Sequence, residues 1–155
     1  MRKKLSIGIS ETMDDNLINE AMNRATQKLQ KLFEEVKMPE SHGLAHCLTV
    51  LGHMKRTISA ADNSVTLTPE KQLALKLAAL LHEADDHKYF PSNANFDNAR
   101  RICEESVPDA ICLGKKEEII SDVVLMISLV SASVNGNSVP EAARKEPCLL
   151  WPRYW

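Results

Sequence analysis

The chain has 155 residues, of which 44% are hydrophobic and 26% are charged, and its formal net charge is −2. This length suits one domain with a buried core, and the near-neutral charge gives no basis for broad attraction to nucleic acid or to an anionic membrane surface. Only 5 glycines are present, which argues against a glycine-rich phosphate loop. We therefore expect neither a membrane partner nor a clear nucleic-acid-binding surface.

Hydrophobic periodicity predicts five helices in chain order, because apolar residues recur at three- and four-residue steps. A capping box at Thr12 and Asp15 is expected to start the first helix. Thr68 as the cap and Pro69 at the first helical position are expected to start the third helix. The third helix is apolar nearly all round, so we expect it to lie at the centre of the domain. The fifth segment is rich in β-branched residues, which also suit a strand. The predicted helices span 14–36, 41–60, 69–86, 93–106 and 115–130, with a turn at 135–138 and one more helical turn at 140–145. The fold class is thus an all-α, single-domain bundle of about five to six helices.

The cysteines indicate the cellular compartment. None of the four forms a CxxC pair, and the N-terminal segment has no apolar run long enough for a signal peptide. We therefore expect a cytoplasmic protein with free thiols. Each thiol is interpreted as a small, buried apolar side chain. The four are Cys47, Cys103, Cys112 and Cys148.

Histidines are the candidate functional residues. His42, His46 and His53 are spaced so that they lie near one stripe of the second helix, while His82 and Asp86 share a face of the third, within the acidic run HEADD. Imidazole with carboxylate suits a catalytic metal with open positions, and a cation would relieve the repulsion between these acids and the negative end of the helix. The residues alone leave two interpretations open: a metal centre between the two helices, or ordinary boundary histidines with acids that face water.

The segments SHGLAHCLTV and LAALLHEADD together resemble the HD-domain superfamily of metal-dependent phosphohydrolases. In that family a histidine near the start of one helix, a His-Asp pair that ends an apolar helix and a distant aspartate hold the metal. The resemblance implies that His46, His82 and Glu83 bind one divalent ion, which could be Mn, Co, Ni, Fe, Zn or Mg. Asp86 takes the position of the family's acidic residue that acts on the attacking water.

The resemblance also implies a substrate and a domain organisation. HKYF resembles a stretch of the bacterial nucleotide-phosphohydrolase branch, where Lys88 would meet a phosphate; the alternative is a solvated surface lysine. The implied function is hydrolysis of phosphomonoesters or nucleotides, with a small phosphorylated molecule or nucleotide as partner. Residues 1–155 would form one HD-like helical domain, with an N-terminal helix in 1–38 and the HD-like core in 40–155.

Two departures from the family pattern bear on activity. Glu83 stands where the family has aspartate, which adds one methylene and shifts the reach of the carboxylate. The family's last ligand lies in a segment like Ala-Asp-Arg-Leu, and the chain stops at Trp155, about where that segment should begin, so the HD-like core is expected to be cut before its last helix. No aspartate follows Asp122, which is expected to be a helix-surface carboxylate or to line the site.

The sequence therefore leaves three candidate functions. The first is the HD-type hydrolase, with activity impaired by the missing aspartate. The second is a catalytically degenerate HD-fold binding module, and the third is a helical interaction domain with structural histidines. An unfinished apolar end also favours a homo-oligomer. A nuclease or a cyclic-nucleotide phosphodiesterase ranks lower, because the chain shows no basic groove and no extra ligands.

Overall fold

The computed structural model describes residues 14–61, 67–93, 95–109, 115–130 and 148. All regular elements in these ranges are helical, which confirms the all-α prediction. The predicted turn at 135–138, the helical turn at 140–145, Thr12 and Cys112 lie outside the described residues. The helices are α1 (Asp15–Val36), α2 (Leu44–Ala60), α3 (Pro69–Leu81), α4 (Asp97–Ser106) and α5 (Lys115–Val130), and a short 3-10 turn (Glu40–His42) precedes α2.

Helix α3 is the centre of the bundle, as its apolar composition predicts. It packs against α1, α2 and α5, while α4 packs against α1 and α5. Thr68 caps its start by accepting from the backbone N–H of Lys71, and Pro69 occupies the first helical position, as predicted. Its leucines and alanines are fully buried: Leu73, Ala74, Leu75, Leu77, Ala78, Ala79, Leu80 and Leu81. This rigid central helix fixes the position of whatever follows its C-terminus.

Four predicted helix ends differ from those observed. Helix α2 begins at Leu44 instead of 41, because residues 40–42 form the 3-10 turn. The N-cap of α1 is Asp14, whose carboxylate accepts from the N–H of Leu17 at 2.9 Å, so Asp15 is the first helical residue and not the third residue of a capping box. Helix α3 ends at Leu81, five residues before the predicted end, and 82–85 form turns. Helix α4 begins at Asp97 instead of 93. In each case a local hydrogen bond to a side chain or a turn replaces the helical one.

The described helices include none with the length and apolar character that a bilayer crossing requires.

Candidate metal centre

The residues just before α2, the first turn of α2 and the end of α3 bring His42, His46 and His82 close together. The 3-10 turn carries His42 and ends at Gly43, the extended N-cap of α2, with His46 in the first turn of the helix. A Cβ at Gly43 would lie 3.0 Å from the carbonyl oxygen of Pro39, so glycine permits the turn to pack closely against the helix start. Because of this turn, His42 precedes α2 instead of lying within it.

The imidazoles of His46 and His82 face each other across the α2–α3 boundary. Their Nε2 atoms are 3.2 Å apart, and the Nε2 of His82 lies 3.8 Å from Oε1 of Glu83. These are the three residues that the resemblance implies as metal ligands. Among the described residues, however, the group whose ligand atoms all lie within 4.8 Å of one another is His42, Glu83 and Asp86, which shares only Glu83 with that set. Glu83 is contacted on its other oxygen, where His42 Nδ1–H donates to Oε2 at 2.6 Å.

His82 is oriented by its second ring nitrogen. Its Nδ1–H donates to the carbonyl oxygen of Ala79 at 2.8 Å, so the Nε2 lone pair points towards His46. Burial lowers the pKa of His82, with the neighbouring imidazoles of His46 and His42 contributing in the same direction, so the ring is neutral near pH 7. A neutral imidazole whose far N–H is held by a backbone carbonyl is the usual form of a metal-binding histidine.

The separations fit a divalent cation. Ligand atoms at 2.0–2.2 Å from one ion lie roughly 3.0–3.4 Å apart in octahedral or tetrahedral geometry. The His46–His82 distance of 3.2 Å falls in that range, and the His82–Glu83 distance of 3.8 Å is within reach of small side-chain rotations. The donor set of two nitrogens and a carboxylate suits a catalytic transition metal.

Asp86 lies beside Glu83 and His42, at the end of the turn that follows α3. Its carboxylate, that of Glu83 and the ring of His42 each offer one ligand atom, and these three atoms all lie within 4.8 Å of one another. The backbone N–H of Lys88 donates to Oδ1 of Asp86 at 2.8 Å, which fixes the carboxylate relative to the turn. The side chain of Lys88 is exposed in the adjoining turn.

The acidic run HEADD separates into two roles. Asp85 points away towards α4, where it accepts from the backbone N–H groups of Asn98 and Ala99 at 2.8 and 2.9 Å and from the amide of Asn93 at 2.8 Å. It is the cap of α4, which explains why that helix starts later than predicted. Sequence spacing could not separate Asp85 from Asp86, because the turns that aim them in different directions are not helical.

Two further residues lie outside the cluster. His53 is exposed on α2, where its Nδ1 accepts from the guanidinium of Arg56 at 2.6 Å. Asp122 on α5 pairs with Lys71 at 2.5 Å, and only 16% of its side chain is exposed, so the expectation of a surface carboxylate is wrong. Lys71 lies in the first turn of α3, about 15 Å along the helix from His82. Asp122 is therefore remote from the cluster and does not line it.

Cys47 is a buried cysteine that lies close to Glu83. The Cys47 thiol is fully buried, burial raises its pKa to about 12, and the nearby charge of Glu83 adds to this rise. Cys103 and Cys148 are also buried, which confirms the interpretation of these three cysteines as core residues.

Comparison with known proteins identifies one curated relative. An uncharacterized protein of Acanthamoeba polyphaga mimivirus is 27% identical over 134 residues, which cover 81% of this chain. The chain spans about half of that relative, 51% of its length. No family model matches the chain, and a comparison with solved structures finds no match. The function is therefore argued from the chemistry of the cluster.

Proposed function

We propose that this chain is a metal-dependent hydrolase of phosphomonoesters or nucleotides, of the HD type. The observation that supports the proposal is the His46–His82 contact at 3.2 Å beside Glu83, with the Nδ1–H of His82 held by Ala79. In this contact two partly buried rings meet edge to face, with their centroids 5.2 Å apart. Two imidazole nitrogens with a carboxylate oxygen close by are a donor set that suits a divalent transition-metal ion.

In this proposal His46, His82 and Glu83 hold one divalent ion. When bound, the ion supplies Lewis acidity: it polarises a phosphoryl oxygen and makes water more acidic. Asp86 lies next to Glu83 and accepts the proton of the attacking water as the new P–O bond forms. The ester P–O bond then breaks, and the departing alkoxide takes a proton from solvent. Lys88, two residues beyond Asp86, binds the phosphate as a point charge.

A degenerate binding module is the second candidate, and one contact favours it. The His42 ring donates to Oε2 of Glu83 at 2.6 Å, so a protonated His42 would neutralise the carboxylate that the cation needs. Glu83 would then be locked in an ion pair, and the fold would keep a phosphate-binding surface without turnover. This candidate predicts nucleotide binding that does not depend on any metal.

Elemental analysis separates the two candidates. The protein is purified without chelators, and portions are loaded with Mn, Co, Ni or Zn and desalted. His46→Ala and His82→Ala are compared with His53→Ala, which removes an exposed histidine from the same helix as His46. We expect the first two variants to lose bound metal and His53→Ala to keep it, with circular dichroism showing that all three remain helical.

Hydrolysis is then measured on the metal-loaded protein with a panel of phosphomonoesters and nucleotides. Release of phosphate that requires both the ion and Asp86 would support the hydrolase. Full metal occupancy in His82→Ala would refute the ligand assignment. No retained metal in the wild type, together with nucleotide binding that needs no added ion, would favour the binding module.

A further inference from the structure

The segment 85–93, which follows α3, is closely hydrogen-bonded within itself. The carbonyl oxygen of Asp86 accepts from the N–H groups of Tyr89 at 3.0 Å and Phe90 at 2.8 Å. Its carboxylate accepts from the N–H of Lys88 at 2.8 Å. The Asp86 carboxylate and the backbone of Lys88 are therefore parts of one turn, and Phe90 packs this turn against the hydrophobic core.

Asn93 closes the segment onto its own beginning. Its side-chain Nδ2–H donates to Oδ1 of Asp85 at 2.8 Å, which joins two residues eight positions apart. Its backbone N–H donates to the carbonyl oxygen of Phe90 at 3.0 Å. The turn that carries Asp86 and Lys88 thus lies inside a ring of hydrogen bonds that Asn93 completes.

Asp85 is held in place from outside the segment. The N-cap position of α4 is Phe96, which has a left-handed backbone with φ 58° and whose side chain makes no capping hydrogen bond. The carboxylate of Asp85 caps the helix instead, because it accepts from the backbone N–H groups of Asn98 and Ala99. These two bonds do not involve Asn93. Loss of the Asn93 amide would therefore leave Asp85 on α4 and free only the end of the segment.

We propose that Asn93 is a positioning residue for phosphate binding, which acts by holding Lys88 and Asp86 in the arrangement that receives the phosphate. The inference rests on the proposed function, in which Lys88 binds the phosphate and Asp86 accepts the proton of the attacking water. A segment that is ordered before its ligand arrives loses little conformational freedom on binding, so more of the contact energy appears as affinity.

The competing explanation is that the bond between Asn93 and Asp85 only stabilises the fold. Both explanations predict some loss of stability in Asn93→Ala, so stability does not separate them. Positioning predicts that Asn93→Ala weakens phosphate binding only while Lys88 is present, because the effect passes through that side chain. A purely structural bond predicts unchanged phosphate affinity in any variant that folds.

The test measures the affinity of the full chain for inorganic phosphate by isothermal titration calorimetry, with and without bound Mn(II). We expect Lys88→Ala and Asn93→Ala each to weaken binding, the latter by about fivefold, which is the equivalent of one net hydrogen bond. The double variant should bind no more weakly than Lys88→Ala alone. Arg100→Ala is the matched control, since it removes a side-chain bond to the carbonyl oxygen of Asn95 at 2.8 Å outside the segment, and it should match the wild type.

A rescue experiment covers the case in which Asn93→Ala loses helicity. Asn93→Asp places a second carboxylate against that of Asp85 and should open the segment by repulsion. Asp85→Asn combined with Asn93→Asp sets an amide opposite a carboxylate again and should recover part of the phosphate affinity. Amide hydrogen exchange of the metal-free chain follows the loosening directly: the N–H groups of Lys88, Tyr89 and Phe90 should exchange faster in Asn93→Asp, at unchanged rates within α3.

The outcomes separate this inference from the proposed function. Unchanged phosphate affinity in Asn93→Ala, beside weakened binding in Lys88→Ala, would overturn the positioning role alone. Additive losses in the double variant would do the same, because Asn93 would then not act through Lys88. Unchanged affinity in Lys88→Ala would remove Lys88 from the proposed function and this inference with it. No phosphate binding by the wild type in either form would overturn both.

Discussion

The Nδ1–H of His82 donates to the carbonyl oxygen of Ala79 at 2.8 Å, and this bond decides which ring nitrogen faces the cluster. With Nδ1 protonated and the ring neutral, Nε2 is an acceptor, so the Nε2–H of His46 donates to it across 3.2 Å. The carbonyl of Ala79 belongs to the last turn of α3, where no further helical N–H follows to satisfy it. The end of the central helix therefore sets the tautomer of the residue that we propose as a metal ligand.

The lowered pKa of His82 predicts that metal-free protein loses stability in mild acid. Burial favours the neutral ring in the folded state, while the unfolded chain takes up a proton near the ordinary value of 6.5. The unfolded state thus binds more protons below that pH, and the free energy of unfolding falls as pH drops from 6.5 towards the lowered folded pKa. The slope from this one group is at most about 1.4 kcal/mol per pH unit.

Urea titrations in EDTA between pH 5 and 8 measure this effect, with His82→Gln as the comparison. Glutamine can occupy similar space without titrating, so its free energy of unfolding should fall less steeply with acid. Parallel curves for the two proteins would contradict the assignment of His82 as a buried neutral ring.

Asp85 is predicted to stabilise the fold without binding metal. It satisfies the N–H groups of Asn98 and Ala99 at the start of α4, so Asp85→Ala should lower the free energy of unfolding by about 1–2 kcal/mol, as for other lost N-caps. Asp85→Asn keeps one acceptor oxygen and should lose less. Chemical unfolding gives the energies, and elemental analysis should find unchanged metal content. Loss of metal in a variant of unchanged stability would place Asp85 in the cluster instead.

The Lys71–Asp122 pair predicts a larger effect at a distance from the cluster. The two side chains are 8% and 16% exposed, so Asp122→Ala leaves a cation buried without this partner and should cost about 3–5 kcal/mol. The exposed pair of Arg24 and Glu20 is the matched control, and Glu20→Ala should change stability little.

The double variant Lys71→Met with Asp122→Leu tests the cause of that loss. Replacing both charges by apolar side chains of similar size removes the buried cation together with the carboxylate that it contacts, so most of the stability should return. Metal content should match the wild type, because the pair lies about 15 Å from His82 along α3. A variant of Asp122 that folds normally and loses the ion would instead make Asp122 a ligand.

The sequence predicts the start of α3 and the bounds of α5, because those features depend on local signals. Thr68 and Pro69 form an N-terminal signal within a few residues, and the buried face of α5 follows a single period. The apolar composition of α3 also predicts its central position. Each of these inferences uses only neighbours along the chain.

The sequence did not predict the turn before α2 or the end of α3, because both depend on contacts between segments that are distant along the chain. His42 reaches Glu83 only because the turn before Gly43 breaks the helix, and the two residues are 41 positions apart. The end of α3 at Leu81 follows from the turns that aim Asp85 at α4 and Asp86 at His42. A helical extension would have kept Asp86 beside His82, which is the arrangement that periodicity favours. Tertiary contacts override the periodic pattern at the point where the proposed chemistry takes place.

Cys47 and Cys103 are predicted to resist alkylation in the folded protein. Burial raises the pKa of both thiols from 9.0 to about 12, and the charges of Glu83 and Glu104 add to the rise. At pH 8 the thiolate fraction is then roughly a thousandfold below that of an ordinary thiol, and alkylation should slow at least in proportion. Peptide mapping after iodoacetamide treatment, with and without urea, measures the rate at each site. Urea should restore ordinary rates at both. Fast labelling of Cys47 alone in the folded state would mean that the region around Cys47 and Glu83 opens to solvent. The burial that keeps His82 neutral would then be lost as well.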